Sequence, residues 1–469
     1  MIWRCVCPGP TTTAYKLCWA FWIGSITMCL MRSTSICDTT ARLSWERREG
    51  SRIPVPDVPH HLKNRSSPMV ESNTLLAGVD IGSTMVRVVL GEAGGSQLDV
   101  IGVGSAPSLG VRHGVVVDAD RLSSAVRQAL GQAKMASGEQ VDRATVSISG
   151  EHVNALQSQG AVAVEGREGT ISSGDRQRAV DAARTVAIPF EHEILHVLPQ
   201  DFDVDDQHRI QNPVGMSGVR LSSRVHIVTG GVTAVRNLVA CVERAGLQVT
   251  DLVFSPLAAA RACLTEDDLD MGVGLIDLGG GTTDAVCFQE GAVVRTHVVP
   301  IGGQQVTGDL AVCLRTSWNH AETLKRQFAL SAEDALQVAG LADRTPERVD
   351  PADVWEICEA RFEELFSLVA QGLDLQERTS PRAGFVLTGG GCQLRQAADV
   401  AERVLQTSVR IVTPEPRPGI GDGLAEPEWA TAMGLVLSAR DGRTTSSNEL
   451  VTRFDATAGR MRSWLEGFL

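Results

Sequence analysis

Two stretches of the chain carry the same residue types in the same order. Ala77–Glu92 reads AGVDIGSTMVRVVLGE, and Leu275–Glu290 reads LIDLGGGTTDAVCFQE. Each is an apolar run closing on an aspartate, then a turn rich in Gly, Ser and Thr, then a second apolar run. That is the pattern of a strand, a tight turn and a strand. Backbone N–H groups in such a turn can converge on phosphate oxygens, and the aspartate beside it is placed to hold a hydrated Mg2+. Asp80 and Asp277 are therefore the candidate magnesium ligands, acting through water. Gly82, Ser83 and Thr84 would wrap one side of the phosphates, and Gly279, Gly280, Gly281, Thr282 and Thr283 the other. Glycine suits these places because a Cβ would block close approach of the backbone to phosphate. A single turn of this kind is common. Two in the same context predict two related half-domains closing on one nucleotide, rather than a pair of ordinary β-hairpins.

Two further elements would complete such a site. Phe385–Gly391 reads FVLTGGG, an apolar strand that stops at Gly389, Gly390 and Gly391 and can lie flat against a purine or ribose. Glu322 and Lys325 stand three residues apart on a predicted helix and share a face. The carboxylate can take ribose hydroxyls, and the stems of Lys325 and Arg326 can cover the adenine. Alone, this short piece would read as a solvated helix face. No catalytic residue is assigned. Asp284 is the spare carboxylate near the second turn and is a poor candidate base, whereas phosphoryl transfer needs a positioned one.

These residues need strands to carry them. Leu75–Val79, Met85–Gly91 and Leu98–Val103 read as three consecutive strands, followed by a helix over Asp118–Met135 and a strand over Arg143–Ser149. The pattern then changes. Residues 151–229 hold short β-like pieces and one helix-like stretch, Ser173–Thr185, without a catalytic constellation, and read as an inserted small α/β subdomain with a binding role. His192, His196 and His226 fall in it at spacings that do not match a metal site. Helices are expected at Val232–Ala245, Gly302–Leu314, Ala321–Phe328 and Trp355–Val369, and a last apolar helix at Trp429–Leu437. The resulting organisation is 69–150 for the first part of lobe 1, 151–229 for the insert, and 230–438 for lobe 2 with the return to lobe 1. A polar linker at 439–457 and a terminal helix at 458–469 follow.

The chain of 469 residues is long enough for two or more domains, and its net charge of −13 argues against nucleic acid as the main partner. Residues 1–68 differ from the rest. They hold five of the eleven Cys, four of the eight Trp and the single Tyr, with nine Lys/Arg against four Asp/Glu. Their apolar run Leu17–Met31 is short for a transmembrane span. They are expected to be an unstructured extension or a misassigned start, with Met69 as the natural beginning. The remaining cysteines are scattered singly among apolar residues and read as buried thiols, not as a disulfide framework or metal site.

At the other end, Met461, Trp464, Leu465, Phe468 and Leu469 recur at helical spacing and fall on one face, with Arg460 and Arg462 off it. Trp and Phe on an apolar face with Arg at its flank suit a helix lying in a membrane interface. A helix this short is marginal in water. It would fold on lipid and bind firmly only when self-assembly multiplies it.

The order DxGST, LIDLGGGTTD, AExxKR, VLTGGG resembles the actin-like ATPase superfamily. The segments GVGSAPSLGVRHGVV (Gly102–Val116), SISGEHV (Ser147–Val153), EILHVLPQDFDVD (Glu193–Asp205), NPVGMSGVRL (Asn212–Leu221) and ERAGL (Glu243–Leu247) are similar, within it, to the FtsA family of bacterial cell division proteins. The likeness runs from about Leu75 to Leu469. It implies an α/β, actin-like two-lobed fold of duplicated RNase-H-like domains, with an inserted subdomain called 1C and ATP with Mg2+ between the lobes. It also implies at most weak ATP hydrolysis, self-assembly into filaments, and a C-terminal amphipathic anchor at the cytoplasmic face of the inner membrane. The partners implied are FtsZ, contacted by the lobe containing about Gly302–Arg382, and later division proteins. A pilus-assembly scaffold of similar fold and, further off, a sugar or acid kinase are the alternatives. The kinase would need a base and would have no use for a membrane tail.

Overall fold

The computed structural model describes residues 74–445, apart from 95–96, 166–168, 331–335, 339–346, 376–379, 395 and 416–423. The N-terminal extension at 1–68, the linker beyond 445 and the terminal helix at 458–469 lie outside the described residues.

Strands β1 (Thr74–Ile81), β2 (Met85–Gly94) and β3 (Gln97–Pro107) form an antiparallel meander. A short hairpin of β4 (Val111–Arg112) and β5 (Val115–Val116) follows. Its tip, His113–Gly114, has positive φ at both residues, as a two-residue type I′ turn requires. Helix α1 (Ala119–Ser137) starts at Asp118, whose carboxylate accepts from the Arg121 N–H, and stops at left-handed Gly138. Its buried stripe of Leu122, Val126, Ala129, Leu130 and Ala133 lies on β3. Strand β6 (Arg143–Ile148) then pairs with β1 in parallel.

The insert leaves the sheet here. Strands β7 (Val153–Ala163), β8 (His192–Val204), β9 (Gln207–Ile210) and β10 (Arg220–Gly231) form an antiparallel sheet in the order β7-β10-β8-β9. Helix α2 (Ser173–Arg184), opened by a capping box between Ser172 and Asp175, crosses it. It crosses at Gly160, where a Cβ would stand 2.0 Å from the Ala183 nitrogen. Ile171, Ala179, Phe202, Val204 and Leu221 make the insert's own small core. The chain returns through α3 (Val232–Arg244) and β11 (Gln248–Phe254), which completes a first sheet in the order β11-β6-β1-β2-β3.

Helices α4 (Ser255–Cys263) and α5 (Glu266–Met271) lead to a second meander: β12 (Gly274–Leu278), β13 (Thr283–Gln289) and β14 (Ala292–Val299). Next come α6 (Gly303–Cys313), α7 (Trp318–Leu330), the small pair β15 (Leu336–Val338) and β16 (Glu347–Val349), and the long α8 (Pro351–Gly372). Strand β17 (Phe385–Thr388), α9 (Ala397–Leu405), β18 (Val409–Ile411) and α10 (Ala430–Thr445) close the described chain. The second sheet runs β14-β13-β12-β17-β18. Both sheets are thus a meander with two parallel strands added beside its first strand, the duplication that the repeated motif predicts.

Each lobe has its own core, and a third core joins them. Leu76, Val89, Leu98 and Val100 of the first sheet and Leu275, Val286, Phe288 and Val386 of the second enclose Ala259, Ala260, Met433 and Val436 of α4 and α10. These two helices cross almost backbone to backbone. A Cβ at Gly434 would lie 1.7 Å from the Ala258 carbonyl oxygen. Helix α10 also runs further than expected. Residues 439–445 continue the helix instead of opening the linker. Asp441, which pairs with Arg440 and with Arg261 of α4, fixes the polar turns that composition alone reads as linker.

Candidate functional site: a cleft between two hairpin turns

The two meanders turn over in the same way. The Gly82 N–H donates to the Met85 carbonyl at 3.0 Å, and the Gly279 N–H to the Thr282 carbonyl at 2.9 Å. Asp80 lies opposite Arg87 across β1 and β2, and Asp277 lies opposite Asp284 across β12 and β13. The structure brings the two turns into contact. A Cβ at Gly280 would come within 2.5 Å of Thr84 Oγ1, and one at Gly281 within 2.5 Å of Ser83 Oγ. These two glycines are therefore required first by the meeting of the turns themselves. Thr283 sits elsewhere: it is fully buried, and its hydroxyl donates to the Ile301 carbonyl at 2.8 Å.

The aspartates are held from the neighbouring strands and from α10. Ser147 Oγ donates to Asp80 at 2.9 Å and accepts the Ile81 N–H at 2.8 Å. Thr431 Oγ1 donates to Asp277 at 2.9 Å. Gly389 packs so closely on Asp277 that a Cβ there would be 2.2 Å from its Oδ1, so the third glycine run reaches the site. Asp284 is buried and accepts from Ser149 Oγ at 2.5 Å and Thr282 Oγ1 at 3.4 Å. Burial raises all three carboxyls above the usual range. For Asp277, burial and then the charge of Asp80 push the value up to about 6. For Asp284, burial, then Asp277 and Asp80, push it up to about 8, so at neutral pH it is mainly protonated and cannot accept a proton. Arg87 pulls Asp80 and Asp277 back down.

Sequence reading left Arg87 unassigned, and it is central here. Its guanidinium pairs with Glu428 at 3.2 Å and lies 5.6 Å from the centre of the Trp429 ring. Its Nε is buried without a partner among the described residues. Glu428 in turn lies beside Gly390. Aligning the two repeats residue by residue places Arg87 at the position of Asp284, which was a signal available in the sequence. Ser147, Ser149 and Thr431 carried none.

The Glu322 group is internally bonded. Lys325 Nζ reaches Glu322 at 2.6 Å, the Gly303 carbonyl at 3.0 Å and Thr307 at 2.9 Å. Arg326, largely exposed, holds the other carboxylate oxygen at 2.9 Å. Burial pushes Glu322 up, but Lys325 and these hydrogen bonds hold it below the usual range. The group also braces the second turn, because the Gly303 and Gln304 N–H groups donate to the Gly279 and Gly280 carbonyls at 3.0 and 2.8 Å. Lys325 thus ties Glu322 and Thr307 to the Gly303 carbonyl behind the second turn, and Arg326 is left largely exposed.

The three histidines of the insert contact the body or their own sheet. His196 accepts the Phe254 N–H at 3.0 Å, His226 meets Thr296 at 2.9 Å, and His192 lies 3.5 Å from Thr229. Burial lowers His196 and His226 to about 4. Burial pushes the thiols of Cys263, Cys287, Cys358 and Cys392 up to about 12, as inert core groups should be. Cys313 is exposed instead. Among the described residues no three His, Cys, Asp or Glu side chains converge to enclose a metal ion.

Duplicated five-stranded sheets, facing hairpin turns and an inserted subdomain define an actin-like α/β protein. A solved PilM-PilN type IV pilus biogenesis complex shares this fold, with a TM-score of 0.58 at 18% identity over 78% of this chain and 98% of that one. Two family models match: "SHS2 domain inserted in FTSA" over residues 150–229 and "Cell division protein FtsA" over residues 274–434. The cell division protein FtsA of Pseudomonas aeruginosa is 37% identical over 415 residues, covering 85% of this chain and 99% of its own length. That of Escherichia coli K12 is 34% identical over 410 residues, covering 83% and 97%. The chain belongs to the FtsA family of bacterial cell division proteins.

Proposed function

We propose that the chain binds ATP with Mg2+ between its lobes, and that nucleotide favours self-assembly rather than rapid turnover. The observation that carries this reading is the meeting of the two turns, with Asp80 near enough to Asp277 to raise it and Arg87, whose buried Nε has no partner among the described residues, acting on both. The donor set suits a hydrated Mg2+: both half-buried carboxylates and the surrounding hydroxyls offer only oxygen. The ion would supply charge neutralisation between the carboxylates and the phosphates. The chain's own residues orient and enclose. Ser147 and Thr431 fix the carboxylates, Arg87 offers a cation to anionic oxygens, and Gly390, with no atom nearer than Glu428 to a Cβ there, leaves room for the nucleoside side. Among the described residues near the turns, Asp284 is the spare carboxylate, and at neutral pH it is mainly protonated. This supports a scaffold's role for the chain.

In this reading the assembled chain attaches to the inner membrane through residues 458–469, with Trp464, Leu465 and Phe468 in the interface. There it anchors the FtsZ ring and recruits later division proteins. No helix among the described residues is long and apolar enough to cross a membrane. Co-sedimentation with liposomes and FtsZ tests the whole reading. ATP·Mg2+ should increase pelleting of the full chain, Asp80→Asn with Asp277→Asn should remove that increase, and deletion of 458–469 should release the protein from lipid while ATP still binds. Pelleting indifferent to all three would overturn it.

A further inference from the structure

The tip of the β4–β5 hairpin lies where the two phosphate turns meet, and the site as described assigns it no part. It touches four elements at once. The Gly114 N–H donates to Ser83 Oγ of the first turn at 3.2 Å. His113 Nδ1 lies 3.1 Å from the Gly281 carbonyl oxygen of the second turn. The same nitrogen lies 3.3 Å from Gln305 Nε2 on the first turn of α6, the helix whose N-terminus is bonded to Gly279 and Gly280. Behind the tip, Gly114 packs on the Ser149 carbonyl, with only 2.2 Å for a Cβ, and Ser149 is the residue that holds Asp284.

One ring nitrogen cannot serve both neighbours in the same way. Toward Gly281 O it must donate, and toward the Gln305 amide nitrogen it must accept. Gln305 is fixed by its other atoms, because its Oε1 takes the Gly302 N–H at 2.9 Å and its Nε2 has the Pro300 carbonyl at 3.4 Å as a second acceptor. The tautomer with hydrogen on Nδ1 therefore satisfies every group: His113 donates to Gly281, and Gln305 donates to Pro300. His113 holds this position at φ 48°, a left-handed conformation that a side chain other than Gly, Asn, Asp or His rarely adopts. The hairpin is thus built to bring a donor from the first lobe to the second lobe's turn, and to engage the Ser83 hydroxyl in doing so.

We propose that the His113–Gly114 tip is a strap that holds the two phosphate turns together over bound nucleotide, with His113 as a positioning residue that governs nucleotide release. This rests on the nucleotide reading above. Nucleotide cannot leave until the turns part, and parting breaks the His113–Gly281 and Gly114–Ser83 bonds together.

The test is stopped-flow displacement of a fluorescent ATP analogue, with Mg2+, from the full chain. His113→Gly keeps the left-handed backbone and removes the ring; His113→Asn keeps the backbone and a donor. Release from His113→Gly should be about tenfold faster, the worth of one net hydrogen bond, while His113→Asn should stay within about twofold of wild type. A merely structural histidine would lower the thermal stability of the nucleotide-free chain and leave release unchanged. Hydrogen exchange on the wild type gives a readout free of folding effects: amides of residues 111–116 should gain protection when nucleotide binds. Equal release from wild type and His113→Gly, or exchange indifferent to nucleotide, overturns the strap alone. A wild-type chain that binds no nucleotide overturns the nucleotide reading along with it.

Discussion

The two hairpins share a backbone and differ in charge. At matched places in the turn, Gly82 and Gly279 make the same bond to the fourth residue, and the charge of Asp80 acts on Asp277. Across the ladder, however, the first hairpin carries Arg87 where the second carries Asp284. A perfect copy would have set four carboxylates, or two with two cations, around one cleft. The difference leaves three carboxyls and one guanidinium, of which Asp284 is kept mainly protonated by its burial. The two turns also divide labour. Gly280 and Gly281 of the second must be glycine to admit Thr84 and Ser83 of the first, so the first turn supplies hydroxyls and the second supplies space.

The most damaging way to break this comparison is to fill that space. Gly281→Val would drive a side chain into Ser83, cost about 1–3 kcal/mol of stability by overpacking and abolish ATP binding measured by titration calorimetry. Near-normal binding would show that the turns need not meet. Next is the charge difference itself. Arg87→Met leaves Glu428 unpaired and the aspartates without their cation, and should cost about 2 kcal/mol in urea unfolding at pH 8, with a smaller loss at pH 5, below the value of about 6 to which Asp277 is raised. An equal loss at both pH values would mean that Arg87 acts by packing on Trp429.

Asp284→Asn sharpens the comparison from the other side. The folded chain holds a proton on Asp284 that the unfolded chain releases. The stability it contributes is therefore complete below the ordinary carboxylate range and is lost as pH rises through about 8. Asparagine mimics the protonated form. Without nucleotide or Mg2+, the variant should gain on wild type as pH rises from 5 to 8, by on the order of a few kcal/mol. A variant weaker than wild type at pH 8 would show that the carboxylate is needed in its charged form.

Much of this arrangement could be read from the residues. The repeated Asp-turn motif placed both hairpins, because period-two apolar runs around a Gly-rich turn have few other solutions. Asp80 and Asp277 follow directly from it. The change of pattern after Glu151 marked the insert, which occupies the expected stretch. Not every element was delimited: β18 has only three residues, and β8 is far longer than its apolar centre suggests. Partners were the hardest to foresee. Glu322 and Lys325 share a face, as their spacing required, but that face is turned to Thr307 and the Gly303 carbonyl. Nothing in a sequence tells whether a Lys stem covers a ligand or props a helix. Ser147, Ser149 and Thr431 come from three distant segments, so only the folded chain shows them converging.

The crossing of α4 and α10 gives the molecule a fulcrum. With no side chain at Gly434 to keep them apart, the helices cross almost backbone to backbone between the two sheets, so a parting of the lobes would have to hinge about that crossing. Parting of the turns at the cleft would then be matched by a larger displacement at the outer rims of the lobes. A neighbouring subunit that gripped both rims would in effect gauge, from the outside, whether the cleft is shut.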